Sequence, residues 1–500
     1  MSLKRNILAN YASQIYVTVV GIVMVPLYIK YIGAEAYGLV GFFAMLQAWF
    51  SLLDMGLTPT MARETARFNS GANDALSLRR LLRAMEGIFI CIAVLGGVLM
   101  IASAEAISTG WLKVQMLPLI EVQYAITLMA LIIALRWVSG LYRSAINGFE
   151  RLTWLSGLNI AIATARFVLV IPLFIFVGTS PKIYFSYQLF LAILELFILL
   201  IQTYRLLPSI DSKANIPWQW APLRKVLKFS LSVAFTGIVW LLVTQTDKLI
   251  LSKLLTLGDY AYFTLSVLVA AGVMTVSAPL SAALVPRLTK MSAEHDDAGL
   301  IQTYRDATQL IAVIAIPVAL VLAFFSEQLL WVWTGDIEIA RKAAPVLTLY
   351  SLGNGILALG AFPFYLQVAK GDLKLHMIGN AVFLVLLIPS LIWATLHYGM
   401  LGAGYVWLIS NAVYFVLWVP KVHSHFVAGL HTKWLFQDVI PIVMSGIITS
   451  ILLVKFLPLA VGRLSLLAEL LLIGIILVVA SSMTSSCIKS QLKMMWKLKV

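Results

Sequence analysis

The sequence predicts an all-α, polytopic membrane protein of about 14 transmembrane helices, built as two six-helix bundles in parallel repeat plus two extra C-terminal helices. Three observations lead there. The 500 residues are 61% apolar and only 12% charged, whereas soluble domains run near 45–50% and about 25%; mean hydropathy is +0.94. Apolar runs of about 20 residues, the length that crosses a bilayer, recur along the whole chain. Basic residues concentrate in alternate connections.

The first span, 7–29, follows "MSLKRN". It resembles a signal peptide superficially, but its apolar part exceeds 20 residues and no small-residue cleavage site follows. It is expected to remain as an uncleaved helix. Spans at 37–58, 84–104, 122–146, 154–178 and 182–206 complete an N-terminal bundle over 1–206. A cytoplasmic linker over 207–225 leads to a second bundle over 226–422, with spans at 226–252, 260–285, 307–333, 343–368, 376–397 and 400–420. The last two of these are separated only by "LHYGM". Two additional helices, 438–458 and 464–486, lie within 438–486. The tail 487–500, "KSQLKMMWKLKV" at its end, is basic with interleaved Met, Trp and Leu; two readings stay open, a segment lying on the anionic inner leaflet and a frayed end.

The net charge is +14. With the N-terminus inside, 25 of the 36 Lys and Arg fall in inner segments, 8 in outer ones, and Arg136, Arg166 and Lys248 inside helices. That bias orients the chain with both termini cytoplasmic and accounts for the basic character without nucleic acid. Connections of at most about 25 residues leave no room for a soluble catalytic domain. There is no Gly-rich phosphate loop, no G-x-S-x-G and no H-E-x-x-H, so no enzyme and no cofactor are expected. Cys91 and Cys487 form no disulfide or metal spacing and read as packed thiols. His423, His425 and His431 share a loop without a carboxylate or Cys to complete a site, so no metal is expected either.

The halves echo each other. "YIGAEAYGLVGFF" after the first span and "LLTLGDYAYFTLS" after the seventh each join two spans by a short turn with Gly, an acid and Tyr. "LTPTMARETARF" and "LVPRLTKMSAEH" each set a Pro before a basic inner connection. Six helices separate the copies, so the repeats are parallel.

Charged groups at membrane depth are costly and normally face a bundle interior or a wet cavity. Arg136 shares a helical stripe with Ser139, Gly140, Arg143 and Asn147; Arg166 shares one with Asn159 and Ala163. Asn10, Gln14, Thr18 and Gly21 line one face of the first helix, and Thr236, Trp240, Thr244 and Lys248 one face of the seventh, with Asp247 adjacent. Arg136, Arg166, Lys248, Asn10, Gln14, Asn159 and Trp240 are the candidate substrate-binding residues. Glu195 and Asp247 are candidates for ion coupling, to protons or sodium, or for structural pairing with Arg166 and Lys248; both readings stay open. The surplus of Arg and Lys over carboxylates favours an anionic cargo, and guanidinium grips phosphate through paired hydrogen bonds.

The segments "SQIYVTVVGIVMVPLYIKYIGAEAYGLVGFF" and "LVTQTDKLILSKLLTLGDYAYFTLS" resemble the polysaccharide-transport branch, the O-antigen flippases, of the multidrug/oligosaccharidyl-lipid/polysaccharide (MOP) exporter superfamily. The resemblance covers nearly the whole chain. It implies a V-shaped, MATE-like pair of six-helix bundles working by alternating access. It further implies a multi-pass protein of the cell inner membrane that moves polyprenyl-diphosphate-linked oligosaccharide, such as an O-antigen repeat unit of lipopolysaccharide, to the outer leaflet. Expected partners are that anionic lipid-linked cargo, membrane lipids and other polysaccharide assembly proteins. Two alternatives remain: a multidrug or cation exporter of the same fold, which would want a cavity of carboxylates and aromatics, and a membrane polysaccharide polymerase or ligase, which would want a large outer loop.

Overall fold

A computed structural model describes residues 3–209 and 218–490. Parts of the expected linker (210–217) and tail (491–500) lie outside the described residues, as does the side chain of Thr236. Among the described residues there is no strand, only an isolated parallel bridge between Lys113 and Thr256.

Contacts divide the chain into two compact units, 1–261 and 262–500. The first holds α1 (Leu3–Val23), α2 (Val25–Phe50), α3 (Leu57–Asn69), α4 (Ala75–Ala102), α5 (Ala104–Ala106), α6 (Leu119–Gly148), α7 (Leu152–Ala163), α8 (Val170–Phe176), α9 (Pro181–Leu206) and α10 (Ala221–Leu254). Helix α11 (Leu257–Ala270) runs across the division. The second unit holds α12 (Gly272–Ala293), α13 (Asp297–Phe324), α14 (Ser326–Thr334), α15 (Ile337–Gly360), α16 (Phe362–Lys370), α17 (Lys374–Phe426), α18 (Leu430–Lys433), α19 (Ile440–Phe456) and α20 (Arg463–Thr484).

Among the described residues, eleven helical stretches are long and apolar enough to cross a membrane. The chain is a multi-pass membrane protein. The remaining spans follow from breaks inside continuous helix. The first expected span ends later than 29: Pro26, which cannot donate to the preceding turn, interrupts the helix at Met24, and the rod continues to Gly33. Gly33 (φ 83°) makes a turn that only glycine adopts without strain. Likewise α17 is two helices meeting at Gly399 (φ 58°, ψ −140°) inside "LHYGM". Counting α1 up to Gly33, α10, and both halves of α17 gives the expected complement of about 14.

In the first unit α6 is the hub, packed against α3, α4 and α9, while α1 packs on α7 and α10 on α2, α3 and α4. The Trp137 ring stacks on Phe89 (centroids 4.8 Å apart) and meets the edge of Phe50. The repeat turns are tied together here. Glu35 accepts from the backbone amides of Gln115, Met116 and Leu117 (2.5–3.0 Å), Lys113 Nζ donates to the Leu254 carbonyl (2.7 Å), and a Cβ at Gly38 would collide with the Leu257 carbonyl. Cys91 is exposed rather than packed, so it faces the medium around α4; Cys487 is buried.

In the second unit α13 and α15 form the centre, with α12, α14 and α17 around them and α19 and α20 against α13. Gln309 of α13 accepts from Ser485 Oγ (2.7 Å) and from the Cys487 amide (3.0 Å), and Arg305 pairs with the buried Asp438 (2.6 Å). The two extra helices are thus pinned to α13 by polar contacts as well as apolar ones. Inside α17 the turn after Gly399 is tight: a Cβ on Gly402 would overlap the Ala394 carbonyl. Gly402→Ala is expected to cost about 1–3 kcal/mol through overpacking. Gly474→Ala, with nothing within 4 Å of its new Cβ, should cost nothing. The fraction of monodisperse protein surviving a heating series in detergent measures both.

Candidate functional site

The helices α6 and α9 lie side by side and pair in register. Arg136 faces Gln188, with NH2 donating to Oε1 at 3.2 Å, and Arg143 faces Glu195. Each pair is separated by 52 residues in sequence, so the two helices run parallel. On each helix the two members are seven apart, about two turns or roughly 10.5 Å.

The lower rung is the charged one. Glu195 is buried, its side chain 6% exposed. One of its oxygens accepts from Arg143 NH2, the other from Arg166 NH2 at 2.9 Å. Arg143 NH1 donates in turn to Asn159 Oδ1. A carboxylate this deep is tolerable only because two guanidiniums hold it.

Arg166 reaches Glu195 from an irregular stretch. Residues Thr164–Val168 form a π-turn between α7 and α8. Such turns add a residue to the helix and loosen its ladder. The loosened carbonyls are taken up by side chains: Tyr187 OH donates to Ala165 O (2.8 Å), Gln188 Nε2 to Arg166 O (3.2 Å), and Tyr28 OH to Phe167 O (3.0 Å). Tyr16 and Thr164 hydroxyls meet at 2.6 Å. The Arg166 backbone is therefore held from α1, α2 and α9.

These groups border a cavity of about 400 Å³ within the first unit. Ser13, Gln14, Val17 and Thr18 of α1 line one side and Arg143, Asn159, Arg166, Phe167 and Glu195 the other. Arg136 stands two turns toward the N-terminus of α6, bonded to the neutral amides of Gln47 (2.8 Å) and Gln188 and lying over the Phe43 ring at 5.1 Å. Among the described residues no carboxylate pairs with it. Arg143 and Arg166 share one carboxylate while Arg136, two turns away, has neutral partners, so the group carries a local charge of +2.

Of the sequence-selected residues, Arg166, Asn159, Gln14 and Glu195 come together at the cavity. Asn10 is one turn away, bonded to Gln14 at 3.4 Å. Lys248, Asp247 and Trp240 belong to α10 and are not among the residues lining this cavity. Lys248 Nζ lies 3.6 Å from Asp247 and donates to Thr244 O at 2.7 Å; the Trp240 ring is 54% exposed. Arg143, Gln188, Gln47, Ser13 and Phe167 were not selected. The signal for Arg143 was its place seven residues after Arg136 on one stripe, and Gln188 bears the same relation to Glu195.

Residues 3–292 match the family model described as polysaccharide biosynthesis protein. The chain belongs to the polysaccharide biosynthesis protein family. Among curated proteins, none matches the sequence. This family member is similar in structure to the lipid II flippase MurJ in an inward closed conformation, with a TM-score of 0.74 at 17% identity over 95% of this chain and 97% of that one. It is also similar to an inward-facing multidrug resistance MATE transporter of the MOP superfamily, with a TM-score of 0.66 at 14% identity over 82% and 95%. A MOP superfamily transporter from Pyrococcus furiosus, reported for the reverse polarity of its binding pocket, gives 0.53 at 15% identity over 85% and 95%. At these identities the likeness shows the fold: the polysaccharide biosynthesis family member has the MurJ/MATE architecture expected from its sequence.

Proposed function

We propose that this protein is a flippase for polyprenyl-diphosphate-linked oligosaccharide, an O-antigen or other surface-polysaccharide repeat unit, carried from the inner to the outer leaflet of the cell inner membrane. The observation that carries this reading is a +2 surplus of guanidiniums: Arg143 and Arg166 line a cavity of about 400 Å³ with the single carboxylate Glu195, and Arg136 stands two turns further along α6. Ion pairing neutralises one guanidinium and leaves two for an entering diphosphate, which guanidinium binds through paired, charge-assisted hydrogen bonds. Gln14, Asn10 and Asn159 supply neutral donors and acceptors for sugar hydroxyls. Lys248 and Trp240 act later on the path, from α10, and the helices from 1–206 and 226–422 form the two lobes that alternate. Glu195, or Asp247, exchanges its arginine or lysine partner for a coupling proton or sodium ion. Both termini are cytoplasmic, as the basic bias of the inner segments favours.

Purified protein in liposomes tests this. Wild type is expected to move a fluorescent polyprenyl-diphosphate sugar and not a cationic dye. Arg136→Gln and Arg166→Gln should each slow that movement at least about 10-fold, as loss of a charge-assisted hydrogen bond worth about 1.5–3 kcal/mol implies. Unchanged rates in both variants at equal abundance would dispose of the cavity assignment. Preferred dye transport would restore the multidrug alternative.

A further inference from the structure

A second cavity in the first unit, of about 240 Å³, opens between the second and third turns of α4 and the end of α9. Its wall is Arg79, Leu82, Arg83, Tyr204 and Leu207. None of these residues borders the cavity beside Glu195. The charges are again unbalanced. Arg79, which lines the cavity, is anchored by its Nε to the Pro208 carbonyl (2.9 Å). Arg83 is 59% exposed and only loosely paired, at 3.4 Å, to Glu86 Oε2. The other Glu86 oxygen is committed to Tyr142 OH (3.0 Å) and Tyr204 OH (2.9 Å). Arg80, next in sequence, has a buried Nε with no partner. The exposed Asp74 is occupied in capping α4 through the Ser77 amide. Two guanidiniums, Arg79 and Arg83, therefore line the cavity, and the carboxylate beside Arg83 has its lone pairs largely spent.

The surroundings set the depth. Trp218 and Trp220 are each 51% exposed; Trp218 packs against Gly87 and donates to Ala84 O at 3.1 Å, on the next turn of α4. Indoles with one polar edge settle at headgroup level. Leu82 and Leu207 give the cavity an apolar floor, so a ligand with both a phosphate and a carbon skeleton matches it better than a bare ion does.

We infer that the Arg79–Arg83–Tyr204 cavity is a phosphate-binding site, for the phosphodiester of an anionic lipid headgroup or for a free phosphate. The assignment stands apart from the transport reading. The test uses the full chain in detergent micelles with three probes: phosphatidylglycerol, phosphatidylcholine and inorganic phosphate. Native mass spectrometry counts bound lipid and a heating series follows stability. For wild type, phosphatidylglycerol should be retained and should raise the midpoint of heat loss, with phosphatidylcholine weaker on both counts. In Arg79→Gln/Arg83→Gln, phosphatidylglycerol occupancy should fall at least about 5-fold, with phosphatidylcholine unchanged. If inorganic phosphate alone stabilises wild type and not the variant, the site stands and its ligand is soluble. If phosphatidylglycerol and phosphate act equally on wild type and variant, or on neither, the site does not exist. Should the double variant not fold, Arg79→Gln alone gives the same readout, because Arg79 forms no ion pair among the described residues.

Discussion

Replacing Glu195 by Ala is expected to destabilise the protein by about 3–5 kcal/mol, the range for removing one partner of a buried ion pair. The carboxylate separates Arg143 from Arg166, and both bind it. Without it two guanidiniums, 32% and 22% exposed, are left beside each other and the local charge rises from +2 to +3. Ordinary hydrogen bonds between membrane helices are worth much less, about 0.6 kcal/mol on average, so the uncompensated charge dominates. Glu195→Gln should be milder, since an amide oxygen still accepts from one arginine. If repulsion is the cause, adding Arg166→Gln to Glu195→Ala should recover a large part of the loss. The measurement is the fraction of folded protein along a heating series, with abundance in the membrane as the cellular counterpart. An Ala variant as stable as wild type would show that Glu195 is not what holds the two guanidiniums.

That cluster also marks the limit of what the sequence discloses. Span number and the repeat were legible because a bilayer admits little besides closed helices, and each helix leaves an apolar run of the required length. Glycine at 399 was legible as a weak point because "LHYGM" interrupts two such runs. Pro26 had the same potential, but prolines are tolerated in membrane helices, and one near the end of a span passes unnoticed. The π-turn at Thr164–Val168 left no signal: its cause is tertiary, in Tyr28, Tyr187 and Gln188, which take up its carbonyls, and Tyr16, which meets the Thr164 hydroxyl. Arg143 was visible on the Arg136 stripe yet also counted among the inner-end cations, because an arginine five residues from a helix end looks the same whether it orients the chain or lines a cavity. Burial of Glu195 separates the two cases, and burial is a property of packing. Lys248 was legible as one member of a polar stripe on the seventh helix with Asp247 beside it, and its Nζ lies 3.6 Å from that carboxylate on α10.

Arg143 is accordingly the residue whose loss should affect transport most. Its guanidinium is a fork, one nitrogen to Asn159 of α7 and the other to Glu195 of α9, and so it joins three helices at the cavity wall. If the proposed function holds, Arg143→Ala is expected to reduce flipping at least about 100-fold, because it removes a proposed phosphate ligand and releases Glu195 from one of its two partners, each worth about 1.5–3 kcal/mol as a charged hydrogen bond. Arg143→Lys keeps the charge, yet an ammonium is a point donor that cannot bridge two acceptors in one plane. It should restore abundance without restoring the rate. Lys248→Gln, outside this cavity, should change the rate less than either. The decisive comparison is flipping rate per folded molecule in liposomes for the three variants together. A Lys variant with full activity would mean that charge alone is needed at 143, and that the forked geometry joining α6, α7 and α9 has no part in handling the anion.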